Sequence, residues 1–185
     1  MTRIKGVTKK DAGLLTRAVY WFARREFGAV PEPVTVVAHH PKLLIASGRH
    51  ELAVKKAAHG PLFELCVYRT AVKLGCSWCV DFGAMLMKHQ GLDIERLKHI
   101  DSYATSPLFT DIERKALAYA DAITDTPVSV TDEQVAELER LLGRKDLVAL
   151  TYQISLENQR ARFNSAFGIR DQGFTSGDAC RVPAH

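Results

Sequence analysis

The chain has 185 residues, 46% of them apolar, and 25 Lys and Arg against 21 Asp and Glu leave a formal charge of +4. That length and apolar content predict one domain with a substantial core and exclude a disordered chain. Basic and acidic residues are interleaved, which argues against a nucleic-acid surface, and no apolar run approaches the ~20 residues that cross a bilayer.

The elements follow in order. Lys9 to Phe27 reads as an amphipathic helix with Leu14, Leu15, Ala18, Val19, Phe22 and Ala23 as its apolar stripe and Gly28 as its stop. Pro31 and Pro33 mark a turn. Val34 to His39 suits a short helix or a strand; helix is expected, since no partner strand stands out elsewhere. Pro41 opens a helix over Lys42 to His59, with Gly48 as a potential break between two pieces. Gly60-Pro61 ends it and starts a helix over Leu62 to Leu74. After Gly75 a further helix covers Ser77 to His89, and a short one covers Leu92 to Ile100. Thr110 with Glu113, and Thr131 with Gln134, are capping boxes that open helices over Asp111 to Thr124 and on to Leu142. The last helix, Lys145 to Phe167, is apolar at first through Leu147, Val148, Leu150 and Ile154, then carries Glu157, Asn158, Arg160 and Arg162, and Gly168 closes it. The expected fold is all-α, one multi-helix bundle of about seven to nine helices over residues 1–168. A tail over 169–185 lacks periodicity and is expected to be partly disordered.

Chemistry gathers in one stretch, Glu64 to Gly83. Gly75 can take the positive φ that ends a helix, so Cys76 and Cys79 fall at the start of the next one, on one face. Free N–H groups and the helix dipole favour a thiolate there. A dithiol so placed can act as nucleophile and resolving thiol. Glu64, returning across the Gly75 turn, is a candidate proton acceptor. The four cysteines are too few and too uneven for a secreted disulfide framework, and Met-Thr-Arg-Ile-Lys-Gly has no apolar core of signal-peptide length. A cytoplasmic location is therefore expected. There, a C-x-x-C pair means redox or metal chemistry. A zinc site would need Cys66, His59 or Cys180 to converge on the pair; no second C-x-x-C supplies it, so no metal is expected.

Glu64, Arg69, Ala71, Gly75, Cys76 and Cys79 fit the spacing E-x4-R-x-A-x3-G-C-x-x-C, which resembles the carboxymuconolactone decarboxylase/alkyl hydroperoxidase D-like family. Ser-Pro-Leu-Phe-Thr-Asp-Ile-Glu-Arg-Lys-Ala-Leu and Leu-Glu-Asn-Gln-Arg resemble its later helices, so the likeness spans residues 40 to 168. The resemblance implies an AhpD-like all-helical fold and a homo-oligomer (a dimer, trimer or hexamer). It also implies thiol peroxidase or disulfide reductase activity without a metal or organic cofactor. In that reading Cys79 attacks a peroxide and becomes a sulfenic acid, Cys76 resolves it to a disulfide, and Glu64 serves a proton relay. A dihydrolipoyl or other dithiol then reduces the disulfide.

The chain departs from the family at Gly83, where the hydroperoxidase motif carries a histidine; Trp78 stands where another can occur. His89, ten residues past Cys79, lies about 15 Å along the helix and cannot substitute. His39, His40, His50 and His59 precede the motif, and Tyr68, one turn after Glu64, can face the same site. Two other readings follow. A decarboxylase of a lactone acid needs no dithiol; a non-catalytic redox sensor keeps the dithiol without the relay. For Glu64, pairing with Arg69 or another arginine is the structural alternative, and buried ion pairing is expected for Glu157 and Arg160.

Overall fold

The computed structural model describes residues 2–175. Among them the chain forms α1 (Leu14–Phe27), α2 (Glu32–Val37), α3 (Pro41–Ala57), α4 (Pro61–Lys73), α5 (Ser77–His89), a 3-10 segment (Glu95–Ser102), α6 (Asp111–Thr124), α7 (Asp132–Leu142) and α8 (Arg144–Phe167). No described residue lies in a strand. No described helix is long and apolar enough to cross a membrane.

Helix boundaries follow local chemistry. Both capping boxes form: Thr110 accepts from the Glu113 N–H while Glu113 accepts from the Thr110 N–H, and Thr131 and Gln134 do the same. Prolines occupy the first turns of α2, α3 and α4, where a missing N–H costs nothing.

Helix α4 is the central strut, packed against α5, α6 and α8. Leu65, Cys66, Tyr68, Thr70 and Ala71 of α4 are buried in a core shared with Leu117 and Ala120 of α6 and Leu150 and Ile154 of α8. Arg69 pins α4 to its surroundings: its Nε and Nη2 donate to Asp121 at 2.7 and 3.1 Å, and its Nη1 donates to Asp101 at 2.6 Å. The Tyr103 hydroxyl donates to Asp121 as well, at 2.9 Å. Arg69 is thus a structural tie, and its partners are these two aspartates rather than Glu64.

Four expectations are corrected. The first helix starts at Leu14, because residues 8–12 form a separate turn closed by the Asp11 and Ala12 N–H groups on the Thr8 carbonyl. Its inward face is Thr16, Tyr20 and Ala23, with the Tyr20 hydroxyl donating to the Val7 carbonyl, so Leu14 (86% exposed), Leu15 and Phe22 point outward. Gly48 does not divide α3, since a single glycine weakens a helix without stopping it. Leu92 to Ile100 gives way to 3-10 turns over Glu95–Ser102, entered through an Asp93 side chain that accepts from the Glu95 N–H. The described part of the tail, 169–175, is docked, with Ile169 and Thr175 buried. The rest of the tail, with Cys180, lies outside the described residues.

Candidate redox site

Cys76 belongs to two helices at once. Its N–H donates to the Ala71 carbonyl and the Gly75 N–H to the Val72 carbonyl, both at 3.0 Å, and Gly75 has φ of 66°. These bonds are the Schellman closure of α4, and they need a residue tolerant of positive φ at Gly75. Cys76 is also the N-cap of α5, with its sulfur accepting from the Cys79 N–H at 3.3 Å. Turn and cap together hold the two cysteines with Cα atoms 5.3 Å apart, and their sulfurs are joined in a disulfide. Both sit at the positive end of the α5 dipole, which favours a thiolate once the bond is reduced.

A third residue completes the contact. Asn164 of α8, 2% exposed, directs its Nδ2 to Cys79 Sγ at 3.4 Å and to Cys76 Sγ at 3.6 Å. A donor fixed on both sulfurs stabilises whichever carries negative charge. Sequence reasoning passed Asn164 over; its signal was an amide at i+3 from Ala161 and i+7 from Glu157, on the face of α8 that continues from Leu150 and Ile154.

The sulfurs are covered. Cys76 is 6% and Cys79 7% exposed. Residues 171–175 lie over the start of α5: the Asp171 N–H donates to Ser77 Oγ, and Trp78 Nε1 donates to Gln172 Oε1 at 2.8 Å. The Asp81 carboxylate accepts from the N–H groups of Gln172, Phe174 and Thr175 and from the Thr175 hydroxyl, at 2.8–3.1 Å. Trp78 stacks on Phe82 with centroids 4.7 Å apart, and Phe27 and Phe174 meet Phe82 edge-on.

No profile of a known protein family matches the sequence. The uncharacterized protein YnjA of Escherichia coli (strain K12) is 33% identical over 173 residues, covering 92% of each chain. An alkyl hydroperoxide reductase of Mycobacterium tuberculosis, Rv2159c, is 36% identical over 84 residues, 44% of this chain and 24% of that one. Among solved structures, the debrominase Bmp8 superposes with a TM-score of 0.81 at 18% identity over 96% of each chain. The AhpD core of a peroxidase-related protein from Ralstonia eutropha JMP134 superposes with a TM-score of 0.78 at 18% identity, over 99% of this chain and 98% of that one. The chain belongs to one family with YnjA, and its fold is AhpD-like.

Within this AhpD-like frame the missing histidine has a visible neighbour. A Cβ built on Gly83 would lie 3.6 Å from Cδ2 of Tyr68, whose side chain is buried. The Tyr68 ring therefore borders the position one turn beyond Cys79. Histidines are engaged elsewhere: His39 with the Lys5 carbonyl, His40 as the cap of α3, His50 with the Tyr152 hydroxyl. His59 and His89 are exposed.

Of the predicted site residues, Cys76 and Cys79 are brought together and Glu64 stands apart from them. Glu64 lies half-buried in the first turn of α4 and makes no hydrogen bond to either sulfur; its charge acts on Glu157 of α8. Glu157 is 3% exposed, and Arg160 bridges it to Glu51 of α3, with 3.0 Å from Nη1 to Glu157 and 3.0 Å from Nε to Glu51. Burial works against the Arg160 charge, but the two glutamates outweigh it and hold the guanidinium protonated. The expected Glu157–Arg160 ion pair is present. Cys66 is fully buried among apolar groups, with burial and then the Glu113 and Asp121 charges pushing its thiol up, so it stays an inert core residue.

Proposed function

We propose that the chain is a thiol-dependent oxidoreductase that reduces a hydroperoxide or a disulfide by cycling Cys76 and Cys79. The observation that carries this reading is a cysteine pair at a helix N-terminus with the Asn164 amide on both sulfurs. In the cycle, the Cys79 thiolate attacks a peroxide oxygen. The O–O bond breaks, the alcohol leaves with a proton, and Cys79 becomes a sulfenic acid. The Cys76 thiol displaces its hydroxyl as water and the disulfide closes. An external dithiol of the lipoyl type returns the pair to its reduced form. Glu64 serves as the base end of the relay.

The proposed location is cytoplasmic, and the proposed assembly is a homo-oligomer. Supporting the latter, Leu14 and Trp21 of α1, Leu43 and Leu52 of α3 and Tyr152 of α8 all leave large apolar surface exposed. Light scattering of the purified protein should give a mass at least twice that of one chain.

The deciding assay is peroxide-dependent oxidation of dihydrolipoamide. Wild type should turn over, and both Cys79→Ser and Cys76→Ser should lose at least two orders of magnitude. Full activity without either thiol would sink the proposal. Disulfide formation that changes oligomer size without turnover would identify a sensor instead. The Trp78–Phe82 stack beside Cys79 favours a second reading, reductive debromination of an aromatic. There the dithiol would give up two electrons to become the disulfide, C–H would replace C–Br, and bromide and a proton would leave. Bromide released from tribromopyrrole by the reduced protein would select it.

A further inference from the structure

The seam between α4 and α8 is apolar for most of its length, yet it carries a run of buried and half-buried polar side chains. Helix α8 contributes Gln153, Glu157 and Asn164; α4 contributes Glu64 and Tyr68. Asn164 is committed to the sulfurs. Glu157 is half satisfied. Its Oε2 accepts from Arg160, but its Oε1 is buried without a hydrogen-bond partner, as is the Oε1 of Gln153 one turn earlier. Buried acceptors without donors are costly. A proton on Glu157 would turn its unsatisfied oxygen into a donor.

The charge count points the same way. Arg160 spends Nε and Nη2 on Glu51 and only Nη1 on Glu157, and Glu64 adds a third carboxylate. Two carboxylates share one guanidinium, the Glu64 charge acts on Glu157 as well, and the buried member is the one that protonates most readily. Burial, with Glu51 and Glu64 adding to it and Arg160 opposing, pushes the Glu157 carboxyl up to about 7. The charged groups around it are therefore Arg160 on its own helix, Glu51 from α3 and Glu64 from α4.

We propose that Glu157 holds the exchangeable proton of the dithiol cycle and passes it along the α4–α8 seam by way of Glu64. This rests on the redox reading of Cys76 and Cys79. The placement fits: Glu157 precedes Asn164 by two turns, roughly 10 Å along the helix. Glu64 precedes Tyr68 by one turn, and the Tyr68 ring reaches the Gly83 level of α5. The protons balance. When the Cys79 thiolate breaks the O–O bond, the alkoxide takes the Glu157 proton and leaves as alcohol. Condensation of the Cys76 thiol with the sulfenic acid releases water. After an external dithiol reduces the disulfide, the Cys79 thiol returns its proton to the Glu157 carboxylate.

The test is a titration of thiolate ultraviolet absorbance in the reduced, full-length protein, with Cys79→Ser to assign the signal. Wild type should titrate in two steps, because ionising Glu157 near pH 7 disfavours the thiolate roughly tenfold at ~10 Å and an effective dielectric of ~20. Glu157→Gln should titrate in one step, and Glu157→Asp should restore two. Glu64→Gln, which leaves the Arg160 pair intact, should move the near-neutral step to lower pH by removing a charge that raises it. Two unshifted steps in Glu157→Gln, or an unmoved step in Glu64→Gln, would overturn the proposal. A two-step wild type that fails to consume tert-butyl hydroperoxide would sink the peroxide reading and leave the proton store standing. Peroxide turnover with a wild-type titration in Glu157→Gln would do the reverse.

Discussion

Asp81→Ala tests whether the segment over the dithiol is held by that one carboxylate. In the folded chain Asp81 is 6% exposed and accepts four hydrogen bonds, three from the backbone of Gln172, Phe174 and Thr175 and one from the Thr175 hydroxyl. A hydrogen bond to a charged group contributes about 1.5–3 kcal/mol, so the four together amount to roughly 6–12 kcal/mol before any relaxation. Relaxation is large here, because the segment can leave instead of staying buried and unpaired. Freeing residues 172–175 returns about 1–2 kcal/mol of backbone entropy per residue, roughly 4–8 kcal/mol in all. The net expected loss is about 2–4 kcal/mol in urea denaturation. Hydrogen exchange is the sharper assay. The amides of Gln172, Phe174 and Thr175 should lose their protection in the variant while those in the middle of α4 keep theirs. The disulfide, now uncovered, should be reduced by a phosphine at least tenfold faster. Retained protection at 172–175 would refute the reasoning, because it would mean that the Phe174–Phe82 and Gln172–Trp78 contacts hold the segment unaided.

Asn164→Ala removes the donor that meets both sulfurs, so the Cys79 thiolate should become less stable and react roughly tenfold more slowly with a small alkylating agent at neutral pH. An unchanged rate would show that the α5 dipole alone activates the pair. Glu157 should also leave a mark on stability. Its folded carboxyl titrates near 7 against an ordinary value of 4.5, so the folded chain keeps a proton that the unfolded chain releases in between. Stability from this group is therefore greatest below about pH 4.5 and falls as pH rises to about 7, by about 3 kcal/mol at most. Glu157→Gln should lack that slope, so its stability relative to wild type should rise between pH 5 and 8 in urea titrations. Parallel pH profiles would contradict the assignment.

Helix boundaries were legible wherever side chains a few residues apart decide them. Thr110 with Glu113, Thr131 with Gln134, and Gly75 between α4 and α5 each act within one turn, and each does in the structure what its spacing predicted. The face a helix buries was less legible. In α1 the more apolar stripe points outward, because the N-terminal segment offers the Val7 carbonyl to Tyr20 and the core takes that side. The candidate site shows the same division. Cys76 and Cys79 could be placed at a helix start from the glycine and the spacing alone. Glu64 carried no such guarantee: its motif spacing said nothing about Glu157, 93 residues later, whose carboxyl its charge affects.

By itself the sequence determined the helices, the dithiol at the start of α5 and the family pattern around it, because each depends on neighbours within about two turns. Only the tertiary structure decided what surrounds the dithiol. Asn164 reaches the sulfurs from 85 residues beyond Cys79, and Asp81 captures a segment more than 90 residues later in the chain. Tyr68 occupies the border of Gly83, and Glu157 lies buried beside one shared arginine. These partnerships come from helices packing side by side, where burial fixes which polar groups must find each other, and no local spacing records that choice.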